Sequence, residues 1–154
     1  MRKKSYQKDK TWEAFSIYIR LRDADKDGFC ICISCRKMFH WEDMQAGHLI
    51  PSRSNNILFD EEIVYAQCPE DNLNQGEQAL FWRNLKKLKG YDEEDFEKLK
   101  ERKNIIRQYK QHELEALEEM YLRCIYAFLM YKNIVAYFDK NKKAIKNIKK
   151  KFKS

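Results

Sequence analysis

Apolar residues recur every three or four positions over several stretches of the chain, the spacing typical of amphipathic helices packed on a core. Helices are predicted at residues 10–22, 72–88, 92–103 and 111–138. In the first stretch, Trp12, Phe15 and Ile19 fall on one face. Residues 1–10 are basic and lack such a face, so we expect them to be frayed. The chain is therefore predicted to be mostly helical.

Signals at the helix ends support this assignment. Gly90 follows one predicted helix in the position where a residue of positive φ commonly ends it. Asp92 precedes the next helix, and acidic residues 93–95 fill its first turn, where carboxylates interact favourably with the helix dipole. The apolar stripe of the last helix consists of Leu114, Leu117, Tyr121, Cys124, Phe128, Tyr131, Val135 and Phe138.

Short apolar alternations replace the helical pattern between the first and second helices and indicate strands. A hairpin is predicted at residues 29–39, a strand bearing His48 at 44–51, a polar loop at 52–56 and a further extended segment at 58–67. The fold class is therefore predicted as α+β. Residues 23–28 have the acidic spacing of a calcium loop, but Ser34 stands where a bidentate Glu is required, so we interpret them as a turn.

Length and composition predict one compact unit that binds a polyanion. The 154 residues suit a single domain, with a helix and core in 1–90 and a helical extension with a basic tail in 91–154. The net charge of +7 favours nucleic acid as partner. Charged residues interrupt the richest apolar run, 121–138, so no membrane span is expected. Without a visible signal peptide, the five cysteines favour reduced thiols in the cytosol.

Three cysteines and an aspartate have the spacing of a structural metal site. Cys32 and Cys35 form one Cys-x-x-Cys pair, and Cys68 with Asp71 repeats the spacing further along the chain. A zinc ion held by four such side chains can stabilise a core too small to be rigid alone. Cys30 is an alternative fourth ligand, and ordinary buried cysteines are the simpler interpretation of the whole set.

Three polar residues lie where a catalytic centre would need them. His48 stands between the two ligand pairs, and imidazole, with an unperturbed pKa of about 6.5, can take a proton from water near neutral pH. Asn72 directly follows the second pair and can offer a carbonyl oxygen to Mg²⁺ or Mn²⁺, with Gln45 as a second oxygen donor. The structural alternatives are a half-buried His48 and a helix-capping Asn72.

These motifs together resemble the NinG (Rap) family of phage recombination proteins. The matching residues are Tyr18-Ile19-Arg20-Leu21-Arg22-Asp23-Ala24-Asp25, Cys32-x-x-Cys35, His40-Trp41, Ala46-Gly47-His48, Phe59-Asp60-Glu61-Glu62, Ala66-Gln67-Cys68 and Asn72, with Gly76 after it. The resemblance implies a zinc-stapled ββα-metal core of the H-N-H type in a phage or prophage protein of the bacterial cytoplasm. It also implies cutting of branched DNA such as Holliday junctions and D-loops, with His48 as general base and Mg or Mn at Asn72.

The chain departs from the family pattern at four positions. Ile63 replaces an Asn, Tyr65 replaces a His, Asp71 replaces the last zinc thiolate, and Gln45 stands where Asp is common. Ile63 cannot orient a catalytic His by hydrogen bonding. The alternative function is a DNA-binding recombination accessory protein that keeps the zinc scaffold without cutting, and a weaker alternative is a zinc-ribbon-like module that binds protein.

Candidate DNA contacts and a candidate self-association surface complete the sequence-based predictions. The candidate phosphate contacts are Arg53, Lys86, Lys87, Lys142, Lys143, Lys146, Lys149 and Lys150. A merely solvated tail is the alternative for residues 140–153. The helix predicted at 111–138 carries more aromatic residues, Tyr121, Tyr126, Tyr131 and Tyr137 among them, than one helix of a small domain normally buries. This suggests a homodimer, since resolving a two-fold junction needs two cuts. Phe81 and Trp82 are expected in the core.

Overall fold

A computed structural model describes residues 2–51, 54–73 and 78–153. The helices are α1 (Arg2–Asp23), α2 (Asn55–Leu58), α3 (Pro69–Leu73), α4 (Gln78–Lys89), α5 (Glu93–Glu101), α6 (Gln111–Tyr131) and α7 (Asp139–Phe152). The strands are β1 (Phe29–Ile31), β2 (Met38–His40), β3 (Gln45–His48) and β4 (Val64–Gln67). The prediction of a mostly helical α+β fold is confirmed.

The strands form two small antiparallel sheets. β1 pairs with β2, and β3 pairs with β4 in a register that sets Gln45 opposite Gln67 and His48 opposite Val64. The backbone N–H of Ile33 donates to the carbonyl of Ala66 at 3.1 Å and joins the two sheets. Residues near both metal-ligand pairs are therefore held together by backbone hydrogen bonding as well as by any bound ion.

The long helices α1 and α6 pack against each other and form the main core with the second sheet. Phe15 and Ile19 are fully buried, and the Phe15 ring lies 5.0 Å from that of Tyr121. The expectation of frayed residues 1–10 is wrong for 2–10, because α1 begins at Arg2. Polar contacts extend this helix, since Gln7 Nε2 donates to Glu118 Oε2 of α6 at 2.7 Å. An apolar pattern cannot reveal such a contact.

Residues 23–28 form the predicted turn after α1. The carboxylate of Asp25 accepts hydrogen bonds from the backbone N–H groups of Asp27 and Phe29, and Gly28 has a φ of +89°. Lys132 Nζ donates to the carbonyl oxygens of Leu21 and Ala24, each at 2.7 Å. This lysine therefore satisfies carbonyl groups that the end of α1 leaves without helical partners.

The long helix α6 ends at Tyr131, seven residues before the end at 138 that the sequence predicted. Residues 132–138 instead form an extended strap, in which the carbonyl of Val135 accepts from Trp41 Nε1 at 3.0 Å. Glu42 accepts from the backbone N–H of Tyr137 at 2.6 Å and of Phe138 at 3.0 Å. These bonds to distant residues replace the helical hydrogen bonds that the strap gives up.

The basic tail is an ordered amphipathic helix, α7, that packs on the body of the protein. Ile148 is buried, with Ile145 and Phe152 half-buried beside it, and Lys151 pairs with Glu119 of α6. Lysines 142, 143, 146, 149, 150 and 153 are exposed on the other side. No helix in the described part of the chain has the length and apolar character needed to cross a bilayer.

Glu42 makes the anchoring of this C-terminal segment dependent on pH. Its side chain is only 1% exposed, and burial alone would raise its pKa, but hydrogen bonds from Tyr137, Asn141 and Phe138 outweigh burial and lower it. A lowered folded-state pKa means that the stabilisation is present at neutral pH and is lost as the pH falls through that value.

We therefore expect Glu42→Gln to lower the free energy of unfolding at pH 7 by about 2 kcal/mol, because charge-assisted hydrogen bonds are replaced by neutral ones. The difference from the wild type should shrink as the pH falls below about 4.3, the unperturbed pKa of Glu, because the unfolded wild-type chain then binds a proton that the folded carboxylate, with its lowered pKa, binds only at lower pH. Urea unfolding at pH 7 and pH 3.5 measures both values. Equal differences at the two pH values would contradict the assignment.

Candidate metal centre and adjoining site

Four predicted ligands from both sheets come together at one point. The ligand atoms of Cys32, Cys35, Cys68 and Asp71 all lie within 4.8 Å of one another. Cys35 Sγ is 3.9 Å from Cys68 Sγ, and Cys32 Sγ is 3.2 Å from Asp71 Oδ2. In the described part of the chain this is the one such group of three or more metal-ligating side chains.

The spacing of this cluster fits a tetrahedral zinc ion. Zinc–sulfur bonds of about 2.3 Å at tetrahedral angles place two sulfurs about 3.8 Å apart, close to the observed separation of Cys35 and Cys68. Two ligands are buried and two are half-buried, so an ion here would be largely shielded from water. The donor set of three thiols and one carboxylate suits zinc, which accepts both types of ligand.

Local backbone structure presents these ligands to the common centre. The turn between Cys32 and Cys35 closes with a hydrogen bond from the Arg36 N–H to the Cys32 carbonyl, and Arg36 takes a φ of 64°. The Cys68 N–H donates to Cys32 Sγ at 3.3 Å, a contact that stabilises negative charge on that sulfur. Pro69 opens α3, a position that favours proline and that places Asp71 within one turn of Cys68.

The side chains of the cluster have altered pKa values because they are buried together. Burial raises the pKa of Cys68 to about 12 and also raises that of Cys35. Burial would likewise raise the pKa of Asp71, but hydrogen bonds from Cys32, Cys35 and Cys68 hold it below its usual range.

The two remaining cysteines lie outside this centre. Cys30 is fully buried, and its thiol donates to the carbonyl of Arg20 at 3.2 Å. The sequence left the fourth ligand position open between Asp71 and Cys30, and in the structure Asp71 is the residue that lies with the other three ligands. Cys124 lies half-buried on α6, away from the ligand group.

A buried asparagine supports the first ligand pair and was not predicted. Asn84 Nδ2 donates to the carbonyl oxygens of Ile33 and Ser34, each at 2.8 Å, and so fixes the turn between Cys32 and Cys35. The sequence contains a signal for this residue: it is an amide on the face of α4 that also carries the fully buried Phe81.

Asn72 and Gln45 are in direct contact beside the metal cluster. Asn72 Nδ2 donates to Gln45 Oε1 at 2.7 Å, although 27 residues separate the two in the chain. Asn72 follows the ligand Asp71 within α3, and Gln45 opens β3. The contact leaves the carbonyl oxygen of Asn72 and the second lone pair of Gln45 Oε1 to accept another group.

His48 lies at the other end of β3. Its ring stacks on Trp12 of α1 with centroids 5.5 Å apart and an interplanar angle of 16°. Nε2 lies 3.2 Å from the carbonyl oxygen of Leu58. Because a carbonyl oxygen can only accept, this contact favours a ring that carries its proton on Nε2.

Gln45 and His48 project from opposite faces of β3, because side chains alternate along a strand and these residues are three apart. The His48 face, shared with the buried Ala46, packs on α1, whereas Gln45 points toward Asn72. Gly47 lies on the Gln45 face, where a Cβ would come within 2.1 Å of Gln67 Oε1. The pair of Gln45 and Asn72 therefore lies on one face of this small sheet, and His48 lies on the other.

Two of the departures from the family pattern have structural roles. Ile63 is fully buried in the main core, and its carbonyl accepts from the Leu49 N–H at 2.8 Å. The ring of Tyr65 lies 4.7 Å from the guanidinium of Arg22, a cation–π contact. Neither residue forms a described hydrogen bond to the His48 ring.

The candidate DNA contacts differ in their surroundings. Lys86 pairs with Glu93 at 3.1 Å, Lys87 is exposed, and Arg53 lies outside the described residues, as does Gly76. Lys142 lies 3.8 Å from Asp139. The remaining candidates are the exposed lysines of α7, namely Lys143, Lys146, Lys149 and Lys150.

The tyrosines behind the homodimer prediction are partly used within the chain. Tyr121 is 2% exposed and stacks on Tyr18, with ring centroids 5.2 Å apart. Tyr126 contacts Phe152 of α7. Tyr131 and Tyr137 remain exposed. Self-association stays a prediction, and the exposed aromatic surface available for it is smaller than the sequence suggested.

Comparison with known proteins gives one family. A family model described as the bacteriophage lambda NinG protein matches residues 1–151. No curated protein and no solved structure matches the chain. The matched range contains both halves of the metal cluster, β3 and most of α7.

Proposed function

The chain belongs to the NinG family of recombination-related bacteriophage proteins, and we propose that it is a metal-dependent endonuclease that cuts branched DNA such as Holliday junctions and D-loops. The observation that carries this proposal is the 2.7 Å contact of Asn72 with Gln45. It joins α3 to the strand that ends in His48, directly beside the four metal ligands. We therefore assign the metal cluster to the scaffold and β3 to the chemistry of an HNH-like core.

In this proposal the zinc ligands position the reactive residues. Cys32 and Cys35 belong to the first sheet's turn, and Cys68 and Asp71 flank the start of α3. An ion held by all four would fix α3, and with it Asn72, against Gln45. Without that link, two-stranded sheets of three or four residues have little stability of their own.

Asn72 and Gln45 would hold the catalytic ion, Mg²⁺ or Mn²⁺, through neutral oxygens, with the substrate phosphate as the charged ligand. Such an ion supplies charge stabilisation for the leaving 3′ oxygen. His48 would act as the general base that takes a proton from the attacking water. β3 pairs only with β4 among the described strands, so a phosphodiester that meets both faces would have to run along the other edge of β3.

A second candidate function, DNA binding without cleavage, has its own supporting observation. Among the described residues, no carboxylate is hydrogen-bonded to the side chains of the Asn72–Gln45 pair, and the four-ligand cluster is the one metal-ligating group. Mg²⁺ usually needs one or two carboxylates in addition to phosphate. A protein that kept the scaffold and lost the catalytic metal would act as a recombination accessory factor.

Incubation with a labelled four-way junction separates the two functions. The endonuclease proposal predicts product strands in Mg²⁺ or Mn²⁺, none in EDTA, and slower cutting of linear duplex of the same sequence. Tight binding of the junction without product in either metal would contradict it and support the accessory function. Weak association that does not depend on salt would contradict both functions, because phosphate contacts are strongly salt-dependent.

Gln45→Asp tests the assignment of the catalytic ion. A carboxylate in contact with Asn72 should strengthen the site, so we expect the Mn²⁺ concentration for half-maximal cutting to fall about tenfold. Gln108→Asp adds the same charge at an exposed position away from the site and serves as the control. An unchanged metal requirement in Gln45→Asp would remove Gln45 from the proposed site.

The exposed lysines of α7 are expected to bind DNA phosphates. Replacing Lys146, Lys149 and Lys150 by Gln should weaken duplex binding about tenfold at 0.1 M salt and reduce the slope of log K against log salt by about 2. The control replaces Lys26, Lys89 and Lys110 by Gln. These lysines lie outside α7, so the control removes the same amount of positive charge from another part of the surface. Equal losses in the two triple variants would indicate a general charge effect and contradict a specific role for α7.

A further inference from the structure

A small pocket lies directly beyond the end of β3. It has a volume of about 240 Å³ and is lined on its apolar side by Leu49, Ile50, Pro51, Trp82 and Phe96. Drug-sized ligands usually occupy about 300–1,000 Å³, so this pocket has room for a single aromatic heterocycle. Leu49 follows His48 in the chain, which places the pocket beside the proposed catalytic strand.

One wall of this pocket is aromatic and ordered by stacking. The rings of Trp82 and Phe96 lie 4.2 Å apart with an interplanar angle of 23°, and Tyr91 adds a third ring 6.4 Å from Trp82. Trp82 was expected in the core, but unlike the fully buried Phe81 it is only half-buried. Its indole therefore takes part in both the packing of α4 on α5 and the pocket wall.

The polar lining of the pocket is cationic. Lys100 and Lys103 both line it, and Lys100 Nζ lies 5.1 Å from the centroid of the Phe96 ring. Lys103 is exposed and forms no ion pair within the described part of the chain. Gln78 adds an amide group that can both donate and accept hydrogen bonds. Aromatic walls with adjacent cations are the combination that binds unpaired bases and their phosphates.

We propose that this pocket binds one unpaired nucleobase of branched DNA. The base would lie against Trp82 and Phe96, Lys100 and Lys103 would contact the flanking phosphates, and the Gln78 amide would bond to the edge of the base. The inference rests on the proposed function and adds a reason for preferring branched DNA: intact duplex has no free base for the pocket. Since the pocket follows His48, an occupied pocket would set the position of the cut relative to the branch.

Fluorescence of 2-aminopurine placed as a single unpaired base in a duplex tests the pocket, in EDTA so that no cleavage occurs. Wild-type protein should quench the probe and bind this DNA at least fivefold more tightly than the fully paired duplex. Trp82→Leu should abolish the quenching and weaken binding of the bulged DNA about 5- to 100-fold, the range for losing one base–aromatic stack. Lys103→Gln should weaken binding of the bulged DNA about threefold, with Lys98→Gln, outside the pocket, as matched control.

Lys103 is exposed, so its variant keeps the test valid even if Trp82→Leu fails to fold. The inference would be overturned if both variants still quench the probe and still bind the bulged DNA more tightly than the fully paired duplex. It would also be overturned if the wild type does not quench the probe. If the wild type cuts the junction but does not quench the probe, the pocket inference is wrong and the endonuclease proposal stands. Quenching without cleavage would support the pocket on a DNA-binding accessory protein.

Discussion

Replacing Cys68 by serine is expected to release the bound metal ion and lower the free energy of unfolding by about 4 kcal/mol or more. Cys68 Sγ is one of the four ligand atoms and lies 3.9 Å from Cys35 Sγ, so removing this thiol opens the cluster at the point where the two sheets meet. Structural zinc contributes about 10–16 kcal/mol in isolated zinc fingers, which have almost no other core. Here the packing of α1 on α6 persists, so the loss should be smaller and concentrated in the sheets.

Metal analysis and urea unfolding of the zinc-loaded proteins measure both effects. Cys124→Ser is the matched control, because Cys124 is half-buried on α6 and outside the ligand group. It should retain one zinc ion per chain and stay within about 1 kcal/mol of the wild type. A Cys68→Ser protein that keeps its zinc, or that loses zinc without loss of stability, would contradict the scaffold role.

Replacing His48 by alanine is expected to reduce junction cutting about 10²- to 10⁴-fold, the usual contribution of a general base. Binding of the junction in EDTA should change less than threefold, because the imidazole is assigned to the proton transfer and not to phosphate binding. Single-turnover cleavage and a gel-shift titration measure the two quantities. Since Trp12 stacks on the His48 ring, the melting temperature of the variant must be measured as well.

His112→Ala is the matched control for this prediction, because it removes an exposed imidazole at the start of α6. It should cut the junction at the wild-type rate. If His48→Ala melts normally and also cuts at the wild-type rate, His48 is a structural partner of Trp12 and another group must act as the base.

The metal ligands could be predicted from the sequence because their signal is local. The spacing of Cys32, Cys35, Cys68 and Asp71 already implied two turns that meet at one ion, and the structure brings these atoms within 4.8 Å. The helix cap at Asp92 was equally local, and its carboxylate accepts from the Asp95 N–H within a capping box. Signals of this kind depend on a few neighbouring residues, so predictions made from them do not require knowledge of long-range contacts.

The ends of the first and last long helices could not be predicted in the same way. Hydrogen bonds to Glu42 and Trp41 replace the last turns of α6 with a strap, and these partners lie more than 90 residues away in the chain. The contact of Gln7 with Glu118 extends α1 by a similar long-range effect. An apolar stripe continued through residues 132–138, but periodicity carries no information about such polar partners.

By contrast, the opposite orientation of the Gln45 and His48 side chains could be predicted from the sequence. Two residues three apart on a predicted strand must point to opposite faces. The identity of each face required the structure, since only the contacts with Asn72 and Trp12 show which side carries the metal cluster and which carries α1. A phosphate that reaches both residues must therefore lie along the edge of β3, which is a restrictive condition on the proposed mechanism.

X-ray absorption at the zinc edge of the purified protein tests most directly the claim that one metal ion, held by Cys32, Cys35, Cys68 and Asp71, joins the two sheets. We expect one zinc per chain with three sulfur neighbours at about 2.3 Å and one oxygen neighbour at about 2.0–2.2 Å. A shell of four sulfurs would mean that Cys30 displaces Asp71. Either that result or protein that folds without bound zinc would contradict the account.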